Sequence, residues 1–389
     1  MNNYEQSLRN LLSKYKKVGI RVDFNVPINN SFQITDNTRI LRAKDTIDFI
    51  FKNECKILLI SHFGRPKELF DEKFSFINLI NQFSDILGYE IHLLSYEEFL
   101  QNGLKQFNES TNKITLLDNI RFFGGEKKND EVFSQSITNE LDLFVNEAFS
   151  ASHRSHASVN QMAKNILAAP GLNFSKEVNA INDIKSSTKK KLAIIGGSKV
   201  STKIKTLLSL TQSCSNIFIG GAMANNFLKY QGIAVSQSLL EEGSEEMIKD
   251  IYTLANKTGC VIHLPTDVVL NDEQTLSIDH LSNQNQFSIL DLSNHSIEVL
   301  EQLVQSSEIV LWNGPMGMIE DSRFAQGSSK LAHLLANSSC DVVIGGGDTL
   351  LAINIAGVSF DHYHFVSTAG GAFLEALEDK ELPGIIALQ

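Results

Sequence analysis

The sequence predicts an α/β protein that contains two parallel sheets, each covered by helices on both faces. Short apolar runs rich in Val, Ile and Leu alternate along the chain with amphipathic segments, which is the pattern of parallel strands linked by helices. About ten such runs are more than one open sheet comfortably holds, so we expect two sheets. A polar stretch at 186–191 interrupts the alternation and marks the boundary between two domains.

The apolar runs predict strands because their branched side chains would be buried between helices. In chain order they are 18–26, 56–60, 113–117, 141–145, 191–195, 216–219, 261–264, 308–312, 341–344 and 364–367. Between them, apolar residues that recur every three or four positions predict helices, among them 38–52, 201–210, 247–258 and 328–338. No apolar run approaches the roughly 18 residues that a membrane span needs.

The first predicted strand has one polar face. Its apolar residues lie at every second position, and Arg21, Asp23 and Asn25 lie between them. Side chains alternate across a strand, so the three polar residues share a face. Two interpretations stay open at this point: the strand is an exposed edge of the sheet, or its end lines a cleft.

Basic and polar residues also follow the next predicted strands of the first half. Together with the first strand and the helix after it, these segments supply Asn25, Arg39, His62, Arg65, Arg121, His153 and Arg154. Open α/β sheets bind ligands outside the carboxyl ends of their strands, where these side chains would gather. Guanidinium groups suit phosphate and carboxylate, so the first half predicts a pocket for a small anion.

Glycine-rich turns follow several strands of the second half, at 196–203, 220–223, 345–349 and 368–372. Such turns let backbone N–H groups and a helix N-terminus approach phosphate, which predicts a nucleotide-phosphate site. Lys199 and Lys203 are four residues apart and would point to one place if the next helix began by Lys199. Asp348 is either a plain helix cap or a ligand of magnesium bound together with a nucleotide.

Composition and charge narrow the range of partners. A net charge of −11 disfavours nucleic acid and anionic membrane surfaces. The four cysteines (Cys55, Cys214, Cys260 and Cys340) are widely spaced and predict reduced thiols in a cytoplasmic protein. The N-terminal segment is charged and predicts no cleaved signal peptide. His153 and His156 lie three residues apart, but no third cluster of metal ligands accompanies them. We expect small-molecule partners and a monomer.

An anion pocket in one domain and a phosphate site in the other indicate direct phosphoryl transfer across a cleft between domains, which requires closure about a hinge. A carboxylate acceptor would be ionised at neutral pH and would need no general base. Two alternatives are a binding protein that holds an anionic metabolite without turnover and a two-domain dehydrogenase. The absence of a GxGxxG motif disfavours the dehydrogenase. An additional interaction role is compatible with the sequence.

The ordered motifs resemble those of phosphoglycerate kinase over essentially the whole chain. They are RVDFNVP (21–27), SHFGRP (61–66), LLDNIRFFGGE (116–126), VNEAFSASHRSHAS (145–158), GGSKVSTKI (196–204), GGAMANNFL (220–228), VLWNGPMGMIE (310–320), GGGDTLLA (345–352), VSTAGGAFLEAL (366–377) and ELPGI (381–385). The resemblance implies reversible, Mg²⁺-dependent transfer between 1,3-bisphosphoglycerate with ADP and 3-phosphoglycerate with ATP, a step of glycolysis.

The resemblance also implies the domain organisation. It predicts two Rossmann-like, three-layer (αβα) domains with parallel sheets, joined by a helical hinge. The phosphoglycerate-binding domain would be 1–170, the hinge 171–190 and the nucleotide-binding domain 191–370. The C-terminal segment 371–389 would return to the first domain.

By the same resemblance, each site residue has an expected role. Phosphoglycerate binding falls to Asp23, Phe24, Asn25, Arg39, His62, Phe63, Gly64, Arg65, Arg121 and Arg154. Nucleotide binding falls to Lys203, Glu320, Gly346, Gly347, Asp348 and Thr349, with Asp348 also the magnesium ligand. The transferring phosphoryl group would contact Arg39, Lys199, Gly370 and Gly371.

This chain departs from the family pattern at several positions. Ala369 replaces the first of three glycines, and it would add strain of about 1 kcal/mol or more if that position needs a positive φ. Residues 291–294 read Asp-Leu-Ser-Asn where the family has Asp-Ile-Gly-Pro, which puts a backbone contact to the nucleotide in doubt. Glu147 and Ser150 replace the usual Asp and Gly. None of these changes removes a charged catalytic group, so we expect activity.

Overall fold

The computed structural model describes residues 3–282, 286–378 and 381–389. The chain divides into two compact units. Unit 1 comprises Met1–Asn179 and Glu381–Gln389, and unit 2 comprises Ala180–Lys380. The division at 179/180 therefore falls within the stretch 171–190 that was predicted to be the hinge.

Unit 1 is built around a parallel sheet. Its strands are β1 (Lys17–Arg21), β2 (Lys56–Ile60), β3 (His92–Leu94), β4 (Ile114–Leu117), β5 (Leu143–Asn146) and β6 (Ala168–Pro170). Its helices are α1 (Asn3–Leu12), α2 (Thr38–Lys52), α3 (Ile80–Leu87), α4 (Tyr96–Asn102), α5 (Lys105–Glu109), α6 (Gly124–Lys127), α7 (Glu131–Thr138) and α8 (Met162–Asn165); α9 (Leu172–Ser186) spans the division. The strand order is β3-β4-β2-β1-β5-β6.

Unit 2 contains a second parallel sheet and a small antiparallel one. The parallel order is β15-β14-β13-β7-β8-β9, and the antiparallel order is β11-β10-β12. The strands are β7 (Lys191–Ile195), β8 (Asn216–Ile219), β9 (Val261–His263), β10 (Asp267–Leu270), β11 (Thr275–Ser277), β12 (Ile289–Leu292), β13 (Ile309–Asn313), β14 (Asp341–Gly345) and β15 (Phe365–Ser367). The helices are α10 (Ile204–Ser213), α11 (Gly221–Tyr230), α12 (Glu245–Thr258), α13 (Asn294–Gln305), α14 (Gln326–Ala336), α15 (Gly347–Ile355) and α16 (Gly371–Leu377); a last helix, α17 (Pro383–Ile386), belongs to unit 1.

Strand β2 shows why the sheet of unit 1 has helices on both faces. Its side chains alternate between two separate hydrophobic clusters: Ile57 and Leu59 belong to one, and Leu58 and Ile60 to the other. All four are fully buried. A strand buried on both faces needs a layer of structure on each, so the predicted α/β fold with parallel sheets is confirmed.

The structure corrects the first predicted strand. Ladder pairing with β2 and β5 covers only Lys17–Arg21, not 18–26. Val22 N–H still donates to the Ile60 carbonyl (3.0 Å), but further on side chains provide acceptors: Phe24 N–H donates to Ser61 Oγ (2.9 Å), and Asn25 N–H donates to Asp23 Oδ1 (3.1 Å). β1 also lies between β2 and β5, which excludes the edge-strand interpretation of its polar face.

The C-terminal segment returns to unit 1 later than predicted. Helix α16 stays with unit 2, where Ser209 Oγ donates to the Leu377 carbonyl (3.0 Å) and Thr206 bonds Glu378. The contact with unit 1 comes from Gly384, whose N–H donates to the Ser152 carbonyl (3.0 Å). A Cβ on Gly384 would lie 2.7 Å from Ser152 Oγ, so this close approach requires a glycine. The segment that packs on unit 1 is therefore 381–389.

Glu147, one of the departures from the family, is buried at the start of α9. Its Oε1 accepts the N–H of Asn173 (3.1 Å) and its Oε2 accepts that of Phe174 (3.4 Å), which pairs a carboxyl group with otherwise unbonded N–H groups of the first turn. A Cβ on Gly171 would lie 1.7 Å from Oε2, so the longer side chain is accommodated because residue 171 is a glycine. Burial raises the pKa of Glu147 to about 8 despite these bonds.

We expect Glu147→Gln to stabilise the protein increasingly as the pH rises. The unfolded chain loses the Glu147 proton near its ordinary pKa, whereas the folded protein keeps it until about pH 8, so the wild type loses stability between these values. Glutamine does not titrate, but it has one acceptor oxygen for two N–H groups, which lowers the stability of the variant by the same amount at every pH. The melting temperature of the variant relative to the wild type should therefore be about 5 °C or more higher at pH 9 than at pH 5. Thermal denaturation at both pH values measures this, with exposed Glu109→Gln as control. An equal shift at both pH values would contradict it.

Candidate functional site

The carboxyl ends of four adjacent strands in unit 1 bring the predicted anion-binding residues together. The order β4-β2-β1-β5 places the loops after these strands side by side. Those loops contribute Asp23, Asn25, His62, Arg65, Arg121 and Arg154, and Arg39 enters from the first turn of α2. We call this group of residues the basic site.

Arg39 is held beside the end of β1 by two contacts. Its Nη1 lies 3.2 Å from Asp23 Oδ2 and donates to the Asn25 carbonyl (2.9 Å). Ser150, a second departure from the family, also bonds Asp23 through its hydroxyl. Burial alone would raise the pKa of Asp23, but the charge of Arg39, the Ser150 hydroxyl and the charge of Arg21 outweigh it and lower that pKa. Asp23 is therefore an ionised carboxylate that orients Arg39.

Arg21 determines which nitrogen of His62 faces a ligand. It is buried, its Nε donates to Ser158 Oγ (2.8 Å), and its Nη2 lies 3.0 Å from His62 Nδ1. A guanidinium can only donate, so Nδ1 of His62 accepts and Nε2 carries the proton. Burial and the charge of Arg21 lower the pKa of His62 well below its usual value. His62 thus presents a neutral N–H donor. The alternating polar face of the first strand was the only sequence signal for Arg21, which we had not included among the site residues.

The loop after β2 is held in shape around Gly64. Gly64 has φ 57°, and a Cβ there would lie 2.3 Å from the Phe74 ring, so the turn requires glycine. Its N–H donates to Asn25 Oδ1 (2.8 Å), and its carbonyl accepts from Arg121 Nη1. Phe63 is buried beneath the loop, as is Phe24 after β1, whereas Arg65 is exposed.

The basic site has an excess of positive charge. Burial, together with the charges of Arg154 and Arg21, lowers the pKa of Arg121 to about 10. Arg154 is half-buried and donates from Nε to His153 Nε2 (3.0 Å). Burial and the same guanidinium charges lower the pKa of His156 to about 4. An anion placed here would relieve the repulsion among these cations.

In unit 2, Lys203 lies beneath the glycine-rich turns. Its Nζ donates to the Gly196 carbonyl (2.6 Å) and to Asn313 Oδ1, and Asn313 Nδ2 donates to the Gly345 carbonyl (2.6 Å). Burial lowers the pKa of Lys203 to about 8, although Asp348 acts in the opposite direction. Asn313 was missed at the sequence level, because an amide that bonds backbone atoms leaves no charge pattern.

The prediction that Lys199 and Lys203 share one face of the following helix is wrong. Helix α10 begins at Ile204, and Lys203 is its N-terminal cap residue. Lys199 is exposed in the preceding turn, where Val200 is fully buried instead. The two lysines are therefore not one helical turn apart on α10.

A cavity of about 360 Å³ opens beside the glycine-rich turns. Its lining includes Gly197, Glu320 and Asp348 together with the apolar residues Leu228, Val268, Ile289, Met316 and Leu351. Gly346, at φ 99°, caps α15, whose first turn contains Asp348 and Thr349. Thr349 Oγ1 accepts the Gly314 N–H (2.7 Å) and donates to the Gly345 carbonyl (2.7 Å). We call this the glycine-rich site. Its apolar wall and donor-rich rim suit a nucleoside with phosphates.

The structure resolves the doubt about Ala369 and shows what the residues at 291–293 contact within the protein. Ala369 is not among the residues with positive φ, whereas Gly370 has φ 54°, so the alanine adds no strain of this kind. Asp291 lies in the cavity wall, where it accepts the N–H groups of Gly327 (2.8 Å) and Leu292 (2.8 Å). Burial raises the pKa of Asp291 to about 7. Ser293, at the altered position, caps α13 through its hydroxyl.

One α/β unit contains the basic site, which suits a small anion, and the other contains the glycine-rich site, which suits nucleotide phosphates. Together these features define a phosphotransferase of the small-molecule kinase class. The family model described as phosphoglycerate kinase matches residues 8–380. The chain belongs to the phosphoglycerate kinase family.

Curated relatives agree with this assignment. The chain is 40% identical to the phosphoglycerate kinase of Prochlorococcus marinus (strain MIT 9312) over 388 residues, which cover 96% of this chain and 95% of that protein. It is 36% identical to the enzyme of Wolbachia sp. subsp. Drosophila simulans (strain wRi), with 98% of each chain covered.

Solved structures agree as well. Phosphoglycerate kinase from Coxiella burnetii superposes with a TM-score of 0.85 at 33% identity, and 96% of each chain is covered. The enzyme from Pyrococcus horikoshii OT3, at 23% identity and a TM-score of 0.83, supports the fold. The predicted pair of Rossmann-like domains is therefore confirmed.

Proposed function

We propose that the basic site of unit 1 binds 3-phosphoglycerate and that the glycine-rich site of unit 2 binds the nucleotide. The family assignment makes the chain a glycolytic phosphoglycerate kinase. The observation that supports the placement of the acceptor is the basic site, where burial and mutual repulsion lower the pKa of Arg121 to about 10. A doubly charged phosphate and a carboxylate on one small molecule would compensate these charges.

In the proposed reaction, a carboxylate oxygen of 3-phosphoglycerate attacks the γ-phosphorus of ATP. The new O–P bond forms as the bond between that phosphorus and the β–γ bridging oxygen breaks, and ADP leaves with the electron pair. The carboxylate is already ionised, so no proton is removed. Arg39 and Lys199 supply positive charge to the transferring group, and the backbone N–H groups of Gly370 and Gly371 donate to it. Glu320 contacts the ribose, while Lys203, Gly346, Gly347 and Thr349 hold the nucleotide phosphates.

We further propose that Mg²⁺ accompanies the nucleotide at Asp348. The Asp348 carboxylate is exposed in the first turn of α15 and lines the cavity, which fits the preference of Mg²⁺ for one or two carboxylates plus phosphate oxygens. Among the described residues, no group of three or more His, Cys, Asp or Glu side chains is placed to hold a metal ion. The bound cation would neutralise phosphate charge.

Transfer needs the two substrates within about 3–3.5 Å of each other. Because they are assigned to different units, ligand-dependent closure belongs to the proposal. We expect the radius of gyration measured by small-angle X-ray scattering to decrease when 3-phosphoglycerate and a non-hydrolysable ATP analogue are both present, and to change little with either alone. An unchanged radius with both ligands, in protein that turns over, would contradict closure.

The remaining proposals concern the localisation, oligomeric state and partners of the enzyme. We propose a cytoplasmic monomer without nucleic-acid partners, supported by the net charge of −11 and by the buried, unpaired thiols of Cys55, Cys214 and Cys260. Burial raises the pKa of the Cys214 thiol to about 12, so it stays protonated. None of the helices among the described residues combines the length and apolar character of a membrane crossing.

A coupled assay tests the proposed function. We expect ATP to be consumed when 3-phosphoglycerate and Mg²⁺ are supplied, with the acyl-phosphate product removed in a step that oxidises NADH. Removal of Mg²⁺ by a chelator should abolish the signal. Binding of both ligands without turnover would contradict the proposal and favour a protein that binds the metabolite without converting it.

A further inference from the structure

Asn119, between β4 and Arg121, is a fully buried polar residue to which neither the family motifs nor the reaction chemistry assigns a role. Its side-chain amide has two donor and two acceptor positions. All four are used, and all four partners are backbone atoms of three different chain segments.

The first of these segments is the loop after β2. Phe63 N–H donates to Asn119 Oδ1 (3.1 Å), and Asn119 Nδ2 donates back to the Phe63 carbonyl (2.6 Å). The amide therefore pairs with both polar groups of one residue, much as a neighbouring strand would. Phe63 lies directly between His62 and Gly64, and Arg65 follows.

The other two bonds join this loop to its neighbours. Asn119 Nδ2 also donates to the Phe74 carbonyl (3.0 Å), next to the ring that packs over Gly64. Asn119 Oδ1 also accepts the Arg121 N–H (3.1 Å), at the start of a 3₁₀ turn that spans Ile120–Phe122. Three segments that surround the basic site are thus joined at a single side chain.

Hydrogen bonds also fix the backbone at Asn119. Its N–H donates to Asp118 Oδ1 (2.8 Å), and Asp118 also accepts from Phe76 N–H (2.9 Å) and Ser75 Oγ (2.9 Å). The next residue, Ile120, donates its N–H to the Ser61 carbonyl (3.0 Å). The orientation of the amide is therefore set from both sides.

We propose that Asn119 is a positioning residue that sets the spacing of His62, Arg65 and Arg121 in the basic site. The proposal rests on the assignment of that site to 3-phosphoglycerate. Asn119 is 0% exposed, so it acts through the backbone of these residues and does not touch the substrate. Displacing the loop by about 1 Å would move an imidazole and two guanidinium groups relative to the anion, which weakens several charge-assisted bonds together.

The test is a comparison of two Michaelis constants. Asn119→Asp has the same shape and keeps the acceptor oxygens, but it loses both donated bonds and places a carboxylate against the Phe63 and Phe74 carbonyls. We expect the KM for 3-phosphoglycerate to rise at least tenfold and the KM for ATP to stay within twofold, because the proposed nucleotide residues belong to unit 2. Asn119→Ser, which removes the same donors without burying a charge, should behave alike and replaces the first variant if that one does not fold.

A purely structural role would give a different result. Ile50→Ala, at the far end of α2 and about 16 Å along the helix from Arg39, should lower the melting temperature without changing either KM. If the Asn119 variants lower the melting temperature and kcat but leave the KM for 3-phosphoglycerate unchanged, the proposal is overturned.

Two reference variants separate this proposal from the site assignment. Arg65→Ala and Arg121→Ala should each raise the KM for 3-phosphoglycerate. If they do so while the Asn119 variants do not, only the positioning role is overturned. If neither changes that KM, the assignment of the basic site fails, and the positioning role fails with it.

Discussion

Arg39→Ala should lower kcat by about 10²–10³-fold while the KM for 3-phosphoglycerate changes by less than about threefold. The reason is that the proposed contact of Arg39 is with the transferring phosphoryl group, whose charge is most exposed in the transition state. An interaction made mainly in the transition state affects kcat and leaves ground-state binding nearly unchanged. Steady-state kinetics with each substrate varied in turn measures both quantities.

The contacts of Arg39 in the free protein define the controls. Its guanidinium is paired with Asp23 and with the Asn25 carbonyl, so alanine also removes a counter-charge from Asp23. Arg39→Lys keeps the charge but not the fork of donors and should recover only part of kcat. Arg9→Ala removes the same charge from the exposed face of α1, where Arg9 pairs with Glu5, and should leave both constants unchanged. A large loss of 3-phosphoglycerate affinity with normal kcat would refute the role of Arg39.

The fold was largely predictable where buried strands alternate with amphipathic helices. The predicted helix 38–52 has the observed bounds of α2, because Ile40, Ala43, Ile47 and Ile50 form one apolar stripe. The edge strands β3 (His-Leu-Leu) and β6 (Ala-Ala-Pro) were missed because neither contains a β-branched residue, whereas the equally short β9 and β15 do and were predicted. The antiparallel sheet of β10, β11 and β12, whose strands are three or four residues long, was also missed.

The candidate sites were predictable to the extent that strand direction determines them. Arginines and histidines that directly follow parallel strands must reach the same sheet edge, so the composition of the basic site followed from the sequence. The hydrogen bonds that individual side chains make in the two sites could not be predicted from the sequence. The buried contact from Arg21 to His62 joins residues 41 positions apart, and the bonds of Asn119 and Asn313 to backbone carbonyls depend on loop geometry. The start of α10 was misplaced because the turn at 199–203 buries Val200 before the helix begins.

Lys203→Ala should abolish measurable turnover and raise the dissociation constant for ATP by roughly 10–100-fold, the range expected for one lost charge-assisted hydrogen bond. In the free protein the ammonium group is bonded to the Gly196 carbonyl and to Asn313 Oδ1, directly beneath the glycine-rich turns. Calorimetric titration with ATP measures the binding loss independently of turnover. Lys205→Ala removes an exposed lysine two residues further along α10 and should change neither binding nor rate.

The pH dependence of kcat/KM for ATP provides a second test of Lys203, and its direction can be predicted. Since burial lowers the pKa of Lys203 to about 8, the free enzyme loses this positive charge as the pH rises through 8, and kcat/KM for ATP should fall in that range. Lys203→Arg stays protonated, so its profile should be flat up to pH 10 even if its rate is lower. Deprotonation of Lys203 does not itself favour unfolding, because a lysine whose pKa is lower in the folded state makes folding more favourable as the pH rises from 8 towards its ordinary pKa. The Lys203→Arg variant retains Glu147 and therefore controls for the loss of stability caused by that group. A wild-type profile that is level through pH 9.5 would show that the ammonium of Lys203 is not required for nucleotide capture.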